Sequence, residues 1–262
     1  MCHTRSAFLL FATFLISVPV AAQQPPQRDP HAILLLTQCL NASGGAQAFV
    51  TIQDYTASGT ITYHWASEEV QGPAIVRARG LGQYRLDANL SSGVRSWAVN
   101  NGRALLKEPN QKASLIPYHN AVHLGGISLP FPEIAASLQD TSKSLAYLGL
   151  IQRAGRQAHR IRVQQNFDSG ADPGRLLSKL SAKDFFVDAA DFQLLYTQDM
   201  VHPLKSSTED YLREVQFSDY RLVNGKLIPF SITEVIAGQQ TWTIHLSQIA
   251  FNQGLTDLDF QL

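Results

Sequence analysis

Tyr55-Thr-Ala-Ser-Gly-Thr-Ile-Thr-Tyr-His-Trp65 is the stretch that decides how this chain is to be read. Its odd positions are Tyr55, Ala57, Gly59, Ile61, Tyr63 and Trp65; its even positions are Thr56, Ser58, Thr60, Thr62 and His64. Successive side chains of a strand point to opposite faces, so a period of two sustained this long describes one long strand with one face buried and the other wet. Ile61, Tyr63 and Trp65 then share the apolar face.

Downstream the same alternation recurs. Val70, Ala74, Val76 and Ala78 alternate with Glu69, Gln71, Arg77 and Arg79, and Gly80-Leu81-Gly82 turns the chain. Tyr84, Leu86, Ala88 and Leu90 alternate with Arg85, Asp87 and Asn89 before a second turn at Ser91-Ser92-Gly93. Residues 94–99 and 103–107 flank Asn101-Gly102, the strongest short hairpin signal. Consecutive strands joined by short turns make an antiparallel meander. The middle is different: residues 115–132 hold Pro117, Gly125, Gly126, Pro130 and Pro132 and read as a loop. A short helix is expected over 132–138, and 144–152 reads as helix or loop. Strands resume over 157–164, 183–187, 193–199, 215–222, 227–236 and 240–251, with a polar turn at 166–175 and hairpins at Asn224-Gly225 and Gly238-Gln239. The fold class is α+β: about ten strands in a single curved antiparallel sheet, with two or three helices, since every connection resembles a hairpin and none a βαβ crossover.

Upstream, Asp29 has the chemistry of an N-cap and Pro30 that of a first helical residue, opening a helix over 31–40. Asn41-Ala-Ser-Gly-Gly45 breaks it, and 46–52 adds another turn or two. Arg5, an apolar run over 7–18, Pro19 and Val20-Ala21-Ala22 have the layout of a secretory signal cut after Ala22. An uncleaved anchor is the alternative, but spanning takes about 20 apolar residues and this run is shorter. The chain therefore divides into a signal peptide at 1–22, a flexible leader at 23–30 and one domain at 31–262, periplasmic or secreted. Cys2 leaves with the signal, so Cys39 has no partner for an intramolecular disulfide and is expected as a buried thiol.

Composition narrows the function classes. Of 262 residues 45% are hydrophobic and 16% charged, which excludes a disordered chain and a polytopic membrane protein. Lys+Arg and Asp+Glu are both 21, so no global charge draws the protein to nucleic acid, and no nucleic-acid partner is expected. No nucleophile elbow, phosphate loop, zinc-protease helix, Cys-x-x-Cys pair or dinucleotide fingerprint occurs. We therefore expect no catalytic residue, no metal and no cofactor. Weaker signals have plainer readings: His119 and His123 lie in the Pro/Gly-rich loop, Asp168, Gly170, Asp172 and Gly174 fit no EF-hand spacing, and Asp188 and Asp191 are turn formers. Asn41-Ala-Ser43 and Asn89-Leu-Ser91 are glycosylation sequons only in a eukaryotic secretory route.

The last third carries a recognisable order of residues. Asp219-Tyr220-Arg221 is followed by Asn224-Gly225-Lys226 and Ile228-Pro229, and a strand ending at Ile249 leads to Asn252, Leu255, Asp257 and Phe260. Upstream, Phe186-Val-Asp188 begins a hairpin leading to Leu194-Leu195-Tyr196. This pattern resembles the LolA-like superfamily of periplasmic and outer-membrane lipoprotein-sorting proteins. The resemblance implies an unclosed, strongly curved half-barrel, LolA/LolB-like, whose concave face is covered by helices and holds acyl chains. It also implies an early-strand arginine that holds the lid, for which Arg77, Arg79 and Arg85 are the candidates. The leading expectation is an exported carrier that holds a lipid or an acylated protein in an apolar groove, with a membrane-associated envelope partner. Groove candidates are Ile61, Tyr63, Trp65, Val76, Tyr84, Leu86, Trp97 and Trp242; each could equally be core. The alternatives are an envelope structural or assembly protein whose groove is filled by its own helices, and a secreted enzyme.

Overall fold

A computed structural model describes residues 27–65, 68–121, 124, 127–168, 170–203, 206 and 209–262, the side chains of residues 118 and 119 excepted. The expected signal segment, the first half of the leader and the His119/His123 pair lie outside what is described. The chain opens with α1 (Pro30–Ala42) and α2 (Ala46–Val50), then runs through β1 (Asp54–Trp65), β2 (Glu68–Arg79), β3 (Gln83–Leu90), β4 (Gly93–Asn100), β5 (Arg103–Lys107) and β6 (Ser114–Ile116). Two helices, α3 (Tyr118–Ala121) and α4 (Phe131–Gln139), precede β7 (Lys143–Arg153) and β8 (Arg156–Gln165). After α5 (Leu176–Leu180) come β9 (Lys183–Asp188), β10 (Leu194–Val201), β11 (Tyr211–Val223), β12 (Lys226–Ile236) and β13 (Gln239–Phe251), and a 3-10 turn, Asp257–Phe260, closes the chain.

All thirteen strands form one sheet in the order β6-β5-β4-β3-β2-β1-β13-β12-β11-β10-β9-β8-β7, antiparallel throughout. The two outer strands do not pair with each other, so the sheet curves without closing. β1 and β13, far apart in sequence, pair at the centre and join the N-terminal meander to the C-terminal one. The count exceeds the ten expected because both edge strands leave little periodic trace. β6 is only three residues long. In β7 only Leu145 is buried, while Leu148 and Leu150 are exposed, so the alternation is faint. Its hairpin also turns on Ala154 (φ 48) and Gly155 (φ 79), without the Asn or Asp that marks such turns.

The edge at β7 is partly covered by the chain's own start. Leu145 N donates to Gln27 O at 2.9 Å, and Asp29 N donates to Leu145 O at 2.8 Å. Over its described part the expected flexible leader is therefore docked, and pairing there removes open edge that could template another chain. Asp29 caps α1 as expected, its carboxylate accepting from His31 N at 2.8 Å, with Pro30 at the first helical position. α1, α2 and α4 lie on the concave face. Leu35, Leu36, Cys39 and Leu40 from α1, Phe49 from α2, and Phe131 and Ile134 from α4 merge with Ile61, Val76, Tyr84, Leu86, Ile232 and Ile244 into one apolar core. Each such buried side chain contributes roughly 1.5–3 kcal/mol. Among the described residues no helix is long and apolar enough to cross a membrane.

Within the core, burial pushes the Cys39 thiol up to about 12. The thiolate is the reactive species, so native protein at pH 8 should resist alkylation by iodoacetamide over hours, while urea-unfolded protein should be modified stoichiometrically. Intact-mass measurement distinguishes the two outcomes.

Turn chemistry fits the backbone at the hairpins. Asn101 (φ 48) with Gly102 (φ 88), and Asn224 (φ 49) with Gly225 (φ 76), place both central residues in the left-handed region, the type I′ signature. The turn expected at Gly238-Gln239 is centred one residue earlier, on Ala237 (φ 51) and Gly238 (φ 81). A Cβ added at Gly225 meets nothing within 4 Å, so a substitution there is strained by φ alone. Gly225→Val should cost about 1 kcal/mol or more, because a β-branched residue resists positive φ; a lowered urea midpoint with an unchanged slope is the expected readout. Gly59 answers a different need. It follows the bulge between Ser58 and Gly59, where a Cβ would lie 2.1 Å from His245 O, so β1 and β13 approach too closely for any side chain.

Candidate functional site

The helices do not cover the whole concave face. Beyond them, between the end of β1, the edge strands β4–β6, α3 and the ends of β10–β13, lies a cavity of about 370 Å³. Register assembles its aromatic wall: Tyr63 sits opposite Trp242 in the β1–β13 pair, and Trp97 comes from β4 on the other side of β1. The Tyr63 and Trp65 rings stack at 5.4 Å, and Trp97 meets Trp242 edge-on at 6.3 Å. Leu106, Ile116, Leu124, Val201 and Ile236 complete the apolar lining. This size and this mostly apolar, partly aromatic lining are those of a small-molecule site, which run roughly 300–1,000 Å³.

Charge enters the cavity in a controlled way. Arg95 lays its guanidinium over Tyr63 at 4.5 Å, Trp97 at 5.5 Å and Trp65 at 5.6 Å from the ring centroids. Its Nε donates to both Glu108 oxygens, at 3.1 and 3.0 Å. A paired cation over aromatic faces fixes the rings. On the opposite wall Arg213 grips Asp199 through two donors, at 2.8 and 2.5 Å, and Glu234 lies 3.9 Å away. All three of these side chains are buried. Burial works against the charge on Arg213, but Asp199 and Glu234 outweigh it and hold the guanidinium above its ordinary range. Burial pushes the Glu234 carboxyl above the usual carboxylate range, against the pull of Arg213 and the Thr241 hydroxyl. The indole Nε1 atoms of Trp97 and Trp242 are buried without a hydrogen-bond partner; Trp242 leans toward Glu234 closely enough to favour its charge but closes no hydrogen bond of normal geometry. Over the mouth, α3 is tied down by Asn120, whose amide donates to His202 O at 2.6 Å and accepts from His202 N at 2.8 Å.

The eight groove candidates separate into two groups. Tyr63, Trp65, Trp97 and Trp242 line the cavity. Ile61, Val76, Tyr84 and Leu86, at most 1% exposed, lie in the packed core, which Tyr63 and Trp242 also join, and none of these four lines this cavity. Alternation reports which face a side chain takes, and both groups share that face; where helices stop covering it is a tertiary matter. Arg95 is not among the residues the sequence singles out, although its two-residue spacing from Trp97 is a usable signal. Arg213 and Glu234 are hidden in the sequence because charged residues on an apolar face break the alternation that identifies the face.

The three early-strand arginines do not hold a lid. Arg77, Arg79 and Arg85 alternate with the core residues Val76, Ala78, Tyr84 and Leu86 and so project from the convex face. Arg77 and Arg85 share Asp87, at 2.8 and 2.9 Å, and Arg85 also reaches Gln261 O. Arg79 bonds Leu255 O at 3.1 Å and pairs with Asp257. Arg79 and Arg85 clamp the C-terminal segment to the back of the sheet, and Arg77 braces the Asp87 that Arg85 also holds. Asp54 helps from beneath, accepting from Gly254 N at 2.9 Å and Leu255 N at 3.1 Å. The helix over the concave face is held instead by Arg28 and Lys183. Arg28 donates to the carbonyls of Leu138 at 2.8 Å, Asp140 at 2.6 Å and Lys143 at 3.1 Å, closing the C-terminal end of α4. Lys183 Nζ pairs with Glu133 in the first turn of α4 at 2.7 Å. Arg28 carries no signal in the sequence because it sits in a Pro/Gln-rich stretch with no periodicity.

The weaker candidates are structural. Asp172 accepts from Leu177 N at 3.0 Å and from Ser178 N and Oγ at 2.8 Å, organising the start of α5. Asp188 Oδ1 accepts from Ala190 N at 2.7 Å, and Arg156 pairs with its other oxygen, so the Asp188–Asp191 pair builds a turn. Among the described residues no group of three His, Cys, Asp or Glu side chains could hold a metal.

No family model matches the sequence. No curated relative matches it. Solved structures do. One is a Vibrio parahaemolyticus domain assigned to outer membrane lipoprotein sorting, with TM-score 0.52 at 11% identity over 87% of this chain and 95% of that one. Another is a LolA superfamily protein from Nitrosomonas europaea, with TM-score 0.51 at 10% identity over 83% of this chain and 97% of that one. At such identities the likeness establishes the fold, and the fold is LolA-like.

Proposed function

We propose that this protein is an exported binding protein that holds a lipid, or the acyl chain of a lipid-modified protein, in the cavity walled by Tyr63, Trp65, Trp97 and Trp242. The observation that carries the reading is a partly open, aromatic and aliphatic cavity of about 370 Å³ on the concave face of a LolA-like sheet. Each methylene transferred into it from water contributes roughly 0.8 kcal/mol, so a chain of modest length binds usefully without an ionic anchor. The reading assigns no catalytic group. Its setting is the periplasm or the extracellular space after removal of residues 1–22, which N-terminal sequencing of the secreted protein tests.

A second reading is favoured by one observation. Ile61, Val76, Tyr84 and Leu86 are packed into one core with Leu36 and Leu40 of α1, Phe49 of α2 and Ile134 of α4, residues of the protein's own helices. On that reading the protein is an envelope scaffold that works through its surface. Lipid extraction and mass spectrometry of protein purified from a membrane-containing host separate the two: a co-purified acyl lipid supports the carrier, and a lipid-free protein that binds no fluorescent fatty acid analogue supports the scaffold.

Two glutamine substitutions should behave oppositely. Trp65 is 39% exposed at the cavity mouth, so Trp65→Gln should weaken binding of the fluorescent analogue with a near-normal melting temperature. Ile61 is 0% exposed. Ile61→Gln should bury an unpaired amide and cost roughly 1–3 kcal/mol of stability, with probe affinity of the folded fraction retained.

A further inference from the structure

A second cavity, of about 170 Å³, is lined by Arg160 and Arg162 of β8, Asp184 of β9 and Lys179 of α5. The two arginines alternate with the core residues Ile161 and Val163, so both project from the convex face. Asp184 is in register with Arg162, and both guanidinium groups close on it. Arg162 donates from Nε to Oδ1 at 2.7 Å and from Nη2 to Oδ2 at 3.0 Å. Arg160 donates from Nε and Nη2 to Oδ2, at 2.8 and 2.5 Å, and lies over the Phe186 ring. The Asp184 side chain is buried, whereas those of Arg160 and Arg162 are 36% and 41% exposed. Two cations thus share one carboxylate, and neither Nη1 has a partner among the described residues. The other carboxylates at this cavity have basic partners of their own: Lys179 pairs with Asp210 and Arg213 with Asp199. His202 Nδ1 also lies 3.2 Å from Asp210. The convex face carries one comparable cluster, Arg77 and Arg85 on Asp87. There Arg85 turns its Nη1 to the Asp259 and Gln261 carbonyls, so the chain itself takes up the remaining donors. At Arg160 and Arg162 the remaining donors belong to residues that line a cavity.

We infer that this cavity is a binding site for a phosphate group, received by the Nη1 donors of Arg160 and Arg162. Planar guanidinium groups match phosphate oxygens in geometry and stay charged at any physiological pH. The pair is held in place before a ligand arrives, by Asp184 and, for Arg160, by Phe186, so little side-chain freedom is lost on binding. The ion pairs with Asp184 remain, because the Nη1 atoms are not the ones that make them. Leu180, Met200 and Leu212 line the same cavity, and the last two are 42% exposed. A phosphate ester with hydrocarbon close to the phosphate therefore has an apolar surface to cover. Free phosphate and a phospholipid headgroup offer the same oxyanion, and the apolar side separates them by affinity. The site is distinct from the aromatic cavity and does not depend on the carrier reading.

The test is titration of the wild-type protein at pH 7 and constant ionic strength, followed through the arginine side-chain N–H signals by NMR. The ligands are inorganic phosphate and dihexanoylphosphatidic acid, with sodium chloride as the control. Phosphate should shift the Arg160 and Arg162 signals saturably and leave those of Arg77 and Arg85 in place. Binding of the short-chain lipid about tenfold tighter than inorganic phosphate, the size of two buried methylenes, identifies a headgroup as the occupant; equal affinity identifies free phosphate. Arg162→Gln leaves Arg160 to hold Asp184 and should weaken inorganic phosphate roughly tenfold, the size of one charge-assisted hydrogen bond. Arg156→Gln, on the same strand but outside this cavity, should leave phosphate binding unchanged. The wild-type titration needs no variant to fold. If neither phosphate nor the lipid gives a saturable shift, if chloride reproduces the shift, or if Arg162→Gln folds and binds phosphate as tightly as the wild type, the inference falls.

Discussion

Arg213→Leu is expected to destabilise the fold by roughly 3–5 kcal/mol, the cost of removing one partner from a buried ion pair. Arg213 is the cation between Asp199 and Glu234, and all three side chains are at most 5% exposed. Without it two carboxylates share a dry wall of the cavity. In a domain of this size the melting temperature should fall on the order of 10 °C. The loss should also depend on pH. Protonation relieves stranded carboxylates, so the variant should recover part of the deficit between pH 7 and pH 5. Glu234 sets a contrasting expectation in the wild-type chain. Its folded-state carboxyl lies above its unfolded value, so its contribution is fully present below the unfolded value and is lost as pH rises through the folded one. Its contribution therefore shrinks as pH rises, and Glu234→Gln should cost less stability, relative to the wild type, at pH 7 than at pH 5. Chemical denaturation of both variants at pH 5 and pH 7 checks the signs. A large loss in Glu234→Gln at pH 7 would show that the carboxylate, and not the guanidinium, organises this wall.

Phe131→Ala is expected to cost roughly 3–5 kcal/mol as a large-to-small change in a packed core. Phe131 is 0% exposed; its ring stacks on Phe49 of α2 at 4.8 Å and approaches Tyr220 of β11 at 6.4 Å. With Ile134 and Ala135 it forms the apolar face that joins α4 to the core. Its loss leaves α4 held by Arg28 at one end and Lys183 at the other, so the helix should stay in place over a cavity instead of detaching. The informative second measurement is ligand capacity. If the covering helices are permanent filling, the variant is less stable and binds the fluorescent fatty acid analogue no better than the wild type. If acyl chains share space with α4, the emptied volume should raise probe affinity even as the melting temperature falls.

Much of this architecture is legible from local chemistry. A period of two over residues 55–65 can only be satisfied by a strand with one buried face, and Asn-Gly at 101–102 and 224–225 suits only a turn whose central residues take positive φ. Asp29-Pro30 marks the start of α1 because a carboxylate acceptor and a residue lacking N–H are what a helix beginning needs. These signals repeat along the chain, and together they specify the central strands, their antiparallel pairing and the apolar side of the sheet. The edge strands β6 and β7 leave a weaker trace, since a strand exposed on most of its length has little reason to alternate.

Local pattern settles which face of the sheet each side chain takes; whether that face is packed or open depends on what folds over it. Ile61 and Tyr63 are separated by one residue on β1, point the same way and belong to the same packed core, yet only Tyr63 also lines the cavity. The same holds for charge. Nothing local distinguishes Arg77, which clamps the convex face, from Arg95, which lies over Tyr63 and Trp97, or from Arg28, which closes α4 across more than a hundred residues of chain. Alternation is a property of neighbours in sequence, whereas the cavity, its buried ion pair and its unpaired indole donors arise where strands distant in sequence are brought side by side.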